Sequence, residues 1–237
     1  MLVRLDNVTV ALEQEAKDPE ALAQATAARL GVRTADLESV TVLKRSLDTR
    51  GPPRVVYSVH ASAACLHKLP KGCRIADVAP LAIPRCVPRQ HRDTPVVVIG
   101  AGPAGLFAAW SMAVAGLRPV LVEQGKPVET RAQDVSRLMH WGQLQSYSNL
   151  CFGEGGAGTW SDGKLTTRIG AGGTRKVLET LVTMGAPERI LTDGKPHLGT
   201  DRLITILKNF RGTLTEAGAI VRFGCRVVGL TRDAHGD

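Results

Sequence analysis

Six residues near the middle of the chain, Gly100-Ala101-Gly102-Pro103-Ala104-Gly105, have the spacing G-x-G-x-x-G. In this spacing the first glycine permits a tight turn from strand to helix, and the second lets the backbone approach a diphosphate closely. The third lets the helix pack against the strand. A helix that begins here directs its unpaired N–H groups and about half a positive charge at the ligand. The spacing therefore predicts a site for the diphosphate of a dinucleotide.

The residues on either side of this motif strengthen the prediction. A β-branched strand, Pro95–Ile99, precedes it, a helix over Ala104–Ala115 follows, and a second strand over Arg118–Glu123 ends in an acid. Glu123 is placed to accept hydrogen bonds from ribose hydroxyls, and its charge would repel a 2′-phosphate. A plain ribose is therefore preferred over the NADP type. A tight strand–helix turn without a ligand is the alternative.

A second glycine cluster favours FAD over NAD. Residues Gly153–Gly173 contain eight glycines in 21 residues, and so bare a backbone lets amides contact a planar or phosphorylated ligand. Arg131 lies on the helix after the acidic strand, where a guanidinium can reach a pyrophosphate; an exposed helix arginine is the alternative. Lys164 and the amides around Gly155 to Thr159 are candidate donors to the flavin or its phosphates.

The sequence supports no assignment of a general base or a metal site. A lone histidine such as His140 or His197 is more often structural or exposed, and Cys65, His67 and Cys73 lack the second pair of ligands that a metal site of this kind needs. The catalytic residues therefore stay unassigned. The predicted cofactor-binding residues are Gly100, Gly102, Pro103, Ala104, Gly105, Glu123, Gln124, Arg131, Gly155, Gly156, Gly158, Thr159 and Lys164.

One string in the second half resembles a known family. Residues 149–165, NLCFGEGGAGTWSDGKL, are close to the GEGGAGTFSDGKL signature of the uncharacterised FAD-dependent dehydrogenases, with Trp160 where Phe is usual. These belong to the glutathione-reductase-like flavoproteins. His197–Asp201 and Lys44–Arg50 also resemble family features. The resemblance implies non-covalent FAD, a small N-terminal α+β domain, and redox chemistry with NAD(P)H or a small-molecule substrate.

The chain departs from that family after its last predicted strand. Family members continue into a second half that completes the FAD site, whereas this sequence ends at Asp237 without a strand leading to the G-D pair that holds the ribityl chain. Gly236-Asp237 follows no such strand. We therefore expect a Rossmann-like α/β domain that is incomplete at its C-terminal end.

The elements divide the chain into two predicted domains. Residues 1–62 have the order β-α-β-β, with a helix that starts at Asp18-Pro19 and ends near Gly31. This order suits a split βαβ unit, so we expect a ferredoxin-like α+β domain. Residues 63–94 contain four prolines and predict a linker or an extended arm. The predicted domains are 1–90 and 94–237. The further elements that the pattern predicts are a first strand over Leu2–Leu12, helices over Thr130–Trp141 and Asp201–Ala217, and a last strand over Ala219–Leu230.

Charge and cysteine content restrict the other classes of function. The net charge of +8 is spread along the chain without a basic block, and aromatic residues make up only 4%. Both features disfavour nucleic-acid binding as the main role. Five cysteines without a C-x-x-C disfavour a disulfide scaffold or a zinc ribbon. Without a secretory signal, a cytoplasmic setting is expected.

Two further points complete the expectations. Pro95–Leu117 carries no charge over 23 residues, but its strand, glycine turn and helix predict a buried unit rather than a membrane span. The favoured function is an FAD-binding oxidoreductase or its N-terminal part. The alternatives are a non-catalytic nucleotide-binding remnant and a binding module that uses Lys44, Arg45, Arg50 and Arg54 of the first domain.

Overall fold

The computed structural model describes residues 1–76, 96–167 and 173–231. The chain divides into two compact units. The first contains Met1–Ala82, Leu165–Val182 and Pro187–Pro196, and the second contains the remaining segments, Ile83–Lys164, Thr183–Ala186 and His197–Asp237. Two short stretches from the second half of the sequence thus belong to the first unit.

The first unit contains a four-stranded antiparallel sheet. Its strands lie in the order β2-β3-β1-β4, so that β3 lies between β1 and β2. Two helices and one 3-10 helix connect β1 to β2. The elements are β1 (Leu2–Ala11), α1 (Leu12–Lys17), α2 (Ala21–Leu30), the 3-10 helix Thr34–Asp36, β2 (Leu37–Asp48), β3 (Arg54–Ala63) and β4 (Arg74–Ile75).

Alternating burial along β1 and β3 explains why these segments form strands. Every second residue of β3 from Val55 to Ala63 is buried, and Val3, Leu5 and Val10 of β1 join the same core. The α2 helix covers this core with Ala21 and Leu30. It ends where Gly31 adopts a left-handed conformation and its N–H bonds back to the helix.

The segment after β3 differs from the predicted linker. Leu66 and Cys73 are buried in the core of the first unit, and β4 pairs with β1. Apolar side chains that reach the core therefore make residues 63–76 part of this unit, while the rest of the predicted linker lies outside the described residues. The short helix α1 replaces the end of the strand predicted to reach Leu12. The ferredoxin-like fold stays a prediction.

The stretch Pro187–Pro196, which also belongs to the first unit, pairs with β2 of its sheet. The N–H of Arg45 donates to the carbonyl of Thr192 (2.6 Å), and the N–H of Gly194 donates to the carbonyl of Arg45 (2.7 Å). This bridge is parallel. The same stretch follows α5 (Gly173–Thr183) and the 3-10 helix Glu188–Leu191. The sequence pattern did not predict this pairing.

The second unit is built on a parallel sheet of three strands in the order β5-β6-β7. Helices connect the strands, as a parallel sheet requires. The unit is therefore a mixed α/β arrangement consistent with a Rossmann-like fold. Its elements are β5 (Val97–Ile99), α3 (Pro103–Val114), β6 (Val120–Val122), α4 (Val128–Trp141), the 3-10 helix Ala157–Trp160, α6 (Thr200–Glu216) and β7 (Ile220–Arg222).

The last strand is shorter than the sequence predicts. A strand was expected over Ala219–Leu230, but β7 ends at Arg222 because Gly224 turns the chain with φ at +67°. The N–H of Gly224 then donates to the carbonyl of Gly125 (3.0 Å). The chain after β7 thereby passes along the end of β6 instead of continuing the sheet.

The two faces of the parallel sheet differ in burial. Val98 of β5 and Leu121 of β6 are buried in register with each other. On the opposite face, Val97, Ile99 and Ile220 are 56%, 60% and 49% exposed. In the described part of the chain, no helix combines the length and the apolar character that a bilayer span requires.

Candidate functional site

The turn between β5 and α3 requires glycine at two positions. Gly100 has φ at +96°, and its N–H donates to the carbonyl of Val122 (2.7 Å) on the neighbouring strand. A Cβ on Gly105 would collide with the carbonyl oxygen of Gly100. The first glycine therefore allows the turn, and the third allows the helix to approach the strand.

The start of α3 offers backbone donors. Gly102 is the extended N-cap, and Pro103 occupies the first helical turn. The first intrahelical bond across this end joins the N–H of Leu106 to the carbonyl of Gly102 (2.9 Å). The N–H groups of Ala104 and Gly105 lie in the first turn of the helix, where N–H groups have no carbonyl acceptor within the helix. A Cβ built on Gly102 would meet only the Cα of Gly156, 4.0 Å away.

A cavity of about 360 Å³ opens beside this helix end. It lies at the carboxyl ends of the three parallel strands, which is where open α/β sheets bind ligands. The volume falls within the usual range for small-molecule sites, about 300–1,000 Å³. The cavity is called the cleft below, and it is lined by Ile99, Gly100, Gly102, Val122, Glu123, Gln124, Cys151, Phe152, Gly153, Gly156, Cys225, Arg226 and Val227.

Glu123 lies in the wall of the cleft, where it closes the end of β6. Its Oε2 accepts the N–H of Ala101 (2.8 Å), and its Oε1 accepts those of Gly125 (2.8 Å) and Gly153 (3.1 Å). The carboxylate thus ties the fingerprint turn to the second glycine loop. Because an ionised carboxylate has about four acceptor positions, these three bonds leave Oε2 able to accept from a hydroxyl.

The two glycine clusters meet at the cleft. The N–H of Gly155 donates to the carbonyl of Ala101 (2.8 Å), and a Cβ on Gly156 would come within 3.3 Å of the Cα of Gly102. Gly102 and Gly156 both line the cleft. About 50 residues of sequence therefore separate two bare backbone segments that the fold places side by side.

Arg131 occupies a different position from the predicted one. It is 0% exposed, and its guanidinium donates to the main-chain carbonyls of Asn149 (2.8 Å), Leu150 (3.0 Å), Gly153 (3.3 Å) and Glu154 (2.7 Å). Burial lowers its pKa to about 10. Arg131 is therefore not among the residues of the cleft wall. It holds the glycine loop because four carbonyls turn towards it.

The other predicted residues divide into cleft and surface positions. Gln124 lines the cleft, Thr159 is buried, and Gly158 is exposed on the 3-10 helix. Lys164 is also exposed, and its Nζ pairs with Asp162 at 2.8 Å. That ion pair raises the pKa of Lys164. Lys164 lies outside the cleft wall, so its predicted role as a donor to the flavin has no support from this geometry.

Several residues in or beside the cleft were absent from the sequence prediction. Gly125 follows the acidic strand just outside the cleft lining, and a Cβ there would collide with the main chain of Gly153, which lines the cleft. Cys151 and Phe152 precede the second glycine loop, and Cys225 to Val227 follow β7. The G-x-G-x-x-G motif predicts ligand-binding residues only after the first two strands. The more general rule, that ligands bind at the carboxyl ends of parallel strands, also includes the residues after β7.

Glu154 is the most buried acid of the second glycine loop. Its Oε2 accepts the N–H of Val128 and the Nη1 of Arg211, both at 2.8 Å. Arg211 also pairs with Glu129 at 2.7 Å. Burial raises the pKa of Glu154 to about 7, although its bonds to Val128 and Arg211 act in the opposite direction. The sequence prediction did not include this residue.

The basic residues proposed for the binding-module alternative have acidic partners within the first unit. Arg45 pairs with Glu15 at 2.9 Å, while Arg50 and Arg54 both pair with Asp48, at 2.9 and 3.0 Å. These pairs hold the pKa of Asp48 well below its usual range. Three of the four cations are thereby engaged locally, which lowers their attraction for a polyanion.

The arrangement of the second unit defines a class of protein. A parallel sheet, a glycine turn leading into a helix, and an acid at the end of the next strand together form the dinucleotide-binding type of α/β protein. The cleft fits the adenosine diphosphate part of such a cofactor, because a Cβ on Gly102 would project into space with no closer contact than 4.0 Å. Gly102 and Gly156 would face the diphosphate, and Glu123 the ribose.

Comparison with known proteins supports this class. Residues 95–136 match an FAD binding domain, and residues 3–64 match a domain of unknown function, DUF8436. The chain is 33% identical over 238 residues to an uncharacterized protein of Clostridium beijerinckii, an alignment that covers 98% of this chain and 44% of the relative. The chain therefore spans less than half the length of that relative.

A second, shorter similarity is to a thiamine thiazole synthase. Over 36 residues the chain is 56% identical to thiamine thiazole synthase of Aeropyrum pernix. This alignment covers 15% of this chain and 13% of that protein. Together with the match to the FAD binding domain, this similarity supports flavin binding by the second unit. The recognised segment is short in both comparisons.

Proposed function

We propose that the second unit binds FAD non-covalently and forms part of a flavin-dependent oxidoreductase. The observation that carries the proposal is the cleft itself, where Gly102 and Gly156 meet beside the buried carboxylate of Glu123. The match of residues 95–136 to an FAD binding domain favours FAD over NAD. The substrate, and NAD(P)H as an electron donor, are proposals that rest on the resemblance of the glycine loop.

Each cleft residue has a defined task in this proposal. The amides at the start of α3 bind the diphosphate, and the Oε2 of Glu123 accepts a ribose hydroxyl. Arg131 keeps the second glycine loop in place through its four carbonyl contacts. When bound, the flavin would supply the redox chemistry, and the protein would supply position and electrostatics.

The direct test of the proposal is to add FAD to the purified chain and to record the visible spectrum after gel filtration. Flavin absorption that co-elutes with the protein is the expected result. NAD and NADP serve as competitors, and the carboxylate of Glu123 predicts that NADP competes least. A chain that stays colourless in excess FAD would contradict the proposal.

A substitution at the N-cap of α3 tests the position of the diphosphate. Gly102→Asp would place a carboxylate at the diphosphate, and we expect FAD binding to be lost. Because aspartate is a favourable N-cap, the fold should keep its stability. Circular dichroism and thermal unfolding check the fold, and flavin fluorescence measures binding.

The chain contains a matched control for this substitution. Gly199 is the N-cap of α6, with an extended backbone and nothing within 4 Å of a built Cβ. Gly199→Asp introduces the same charge at the same helical position but outside the cleft wall, so FAD binding should be unchanged. Equal flavin binding by both variants would place the diphosphate elsewhere.

The second candidate function is nucleotide binding without catalysis. The size of the cleft favours this candidate, because the described residues line it only at the ends of three strands, where the adenosine diphosphate part of a cofactor would bind. This candidate predicts that ADP binds about as well as FAD, because only the adenosine diphosphate part is recognised. It also predicts no oxidation of NADH with an artificial electron acceptor. Much tighter binding of FAD than of ADP would favour the oxidoreductase.

A further inference from the structure

Glu154 lies directly behind the wall of the cleft. Its neighbours on the loop, Gly153 and Gly156, line the cleft, whereas Glu154 is 1% exposed and points into the unit. Its Oε2 accepts hydrogen bonds from Val128 and Arg211, and its Oε1 is buried without a hydrogen-bond partner among the residues that the structure describes. One oxygen of the carboxyl group is therefore satisfied, and the other is not.

The charged groups that face Glu154 come from two helices. Arg211 from α6 contacts it directly, but the same guanidinium also pairs with Glu129 of α4 at 2.7 Å. Arg131 of α4 donates to the main-chain carbonyl of Glu154 (2.7 Å). A cation shared between two carboxylates compensates each of them only partly. A buried carboxylate with incomplete compensation is costly when it is ionised.

The main chain links this carboxyl group to the cleft. The N–H of Glu154 donates to the carbonyl of Lys126 (3.1 Å), and the next amide, that of Gly155, donates to the carbonyl of Ala101 in the fingerprint turn (2.8 Å). A movement of the loop that brings water to the side chain of Glu154 would displace the backbone of Gly155 and Gly156, because these residues follow it directly in the same hydrogen-bonded loop. These are the residues that meet the fingerprint turn.

We propose that Glu154 is a positioning residue: its neutral form holds the second glycine loop against the fingerprint turn, and its ionisation loosens that loop and weakens dinucleotide binding. This inference rests on the proposed function. Two effects act in the same direction. The ionised carboxylate favours any opening that hydrates it, and its charge repels an anionic diphosphate in the neighbouring cleft. Because burial raises the pKa of Glu154 to about 7, both effects occur near neutral pH.

The first experiment measures the affinity for FAD against pH by flavin fluorescence. From about pH 6 to about pH 8, we expect the dissociation constant of the parent chain to rise about fivefold or more, which is a typical coupling between two sites. Glu154→Gln should keep the low-pH affinity throughout, because the amide stays neutral. Either a flat profile in the parent or the parental slope in Glu154→Gln would overturn the proposal.

Glu129→Gln is the matched control. Glu129 pairs with the same arginine, but its side chain is 46% exposed, and the bond from Arg211 holds its pKa below the usual value. It is therefore already ionised across this window. We expect Glu129→Gln to keep a pH-dependent affinity with its midpoint moved to lower pH, because Arg211 then compensates Glu154 alone. A profile that is flat from about pH 4 to about pH 8 in this variant would assign the pH dependence to Glu129 and reject Glu154.

A second readout does not require FAD. The pKa of Glu154 lies above its ordinary value of 4.5, so its contribution to the free energy of unfolding is fully present below about pH 4.5 and is lost as the pH rises through about 7. In urea unfolding of the ligand-free chain, the parent should lose stability relative to Glu154→Gln over that range. Failure of FAD to bind any variant would reject the proposed function, whereas a constant stability difference would reject the role of Glu154.

A substitution of Arg211, the cation paired with Glu154, tests the proposal independently if Glu154→Gln does not fold. Arg211→Met removes the cation that favours the ionised form, so the pKa of Glu154 should rise further. The fall in affinity should then occur at higher pH than in the parent. An unchanged midpoint in Arg211→Met would overturn the proposal.

Discussion

Two glycines beside the cleft are required because a side chain at either position would collide with the main chain. Gly105 lets α3 approach β5, and Gly125 lets the loop before Gly153 approach the end of β6. The motif spacing identifies Gly105 because its role recurs in every such turn. It cannot identify Gly125, since the requirement arises from a segment about 28 residues further along that only the folded chain brings near.

The tightest of these contacts makes a stability prediction at the residue scale. In Gly105→Ala, the added Cβ collides with the carbonyl oxygen of Gly100. Because that oxygen belongs to the backbone, it cannot move aside by a change of rotamer. Overpacking of this kind costs about 1–3 kcal/mol, occasionally more. We expect a loss in that range in urea unfolding. Gly212→Ala, in the interior of α6 with nothing within 4 Å, should instead gain about 0.5–1 kcal/mol.

That pair of variants isolates the close approach from helix propensity. Both substitutions replace a helical glycine with alanine, so the gain in propensity is common to them. The difference between the two changes in unfolding free energy then reports the collision. If Gly105→Ala proved as stable as Gly212→Ala, the packing of α3 on β5 would be looser than described.

At the scale of elements, the sequence predicted most helices and strands, because their apolar periodicity and their end signals agree. Helix α2 stops at Gly31 as expected, and α3, α4 and α6 lie within about two residues of their predicted bounds, the usual uncertainty at helix ends. Other features escaped prediction. Among them, the strand β7 ends early because of the turn at Gly224, and Arg131 serves the loop instead of the ligand.

Arg131 illustrates why sequence alone misplaces a functional residue. An arginine on a helix beside a glycine-rich loop is compatible with binding a phosphate or with binding carbonyls, since both are acceptors for the same donors. Only the path of residues 149–154 decides between them, because that path turns four carbonyls inward. The sequence of side chains does not determine the direction of the main-chain carbonyls in such a loop.

This contact network gives a prediction for the element that it holds. Replacing Arg131 with Met keeps the apolar stem but removes all five donors, and it leaves buried carbonyls without partners, at about 1–3 kcal/mol each. We expect a total loss of at least about 3 kcal/mol, or failure to fold if the chain is marginal. Limited proteolysis should show earlier cleavage within residues 149–154.

The control for this variant lies on the same helix. Arg137 is half-exposed, and its guanidinium is 3.8 Å from Asp134, so Arg137→Met should change the free energy of unfolding by no more than about 0.5 kcal/mol. Comparable losses in both variants would mean that charge, and not the carbonyl contacts, explains the role of Arg131.

At the scale of the whole molecule, the chain order and the spatial units differ. The stretch Pro187–Pro196 lies between the cleft residues Gly156 and Cys225 in sequence but belongs to the first unit, where Thr192 and Gly194 pair with β2. The sequence gives no signal for this pairing because it has only two residues and lacks the alternation of a longer strand. A strand pattern can predict that a segment is extended, but not which distant edge it joins.

The parallel sheet of the second unit gives a final prediction at this scale. Parallel sheets are normally covered on both faces, but the face formed by Val97, Val120 and Ile220 in one row, with Ile99 and Val122 in the next, has half-exposed or exposed apolar side chains. Apolar patches of this kind promote association. We expect the purified chain to self-associate at high concentration and to bind an apolar dye such as anilinonaphthalene sulfonate.

Two substitutions on that face test the expectation. Val97→Thr with Ile220→Thr keeps β-branched residues in both strands while lowering the apolar area, so association and dye binding should fall without a loss of fold. Val114→Thr, at the exposed end of α3 and away from the sheet face, is the control and should leave both unchanged. Sedimentation velocity over a concentration series measures association. If the double variant associates as strongly as the parent, some other surface of the molecule is responsible, and the sheet face does not drive contact between chains.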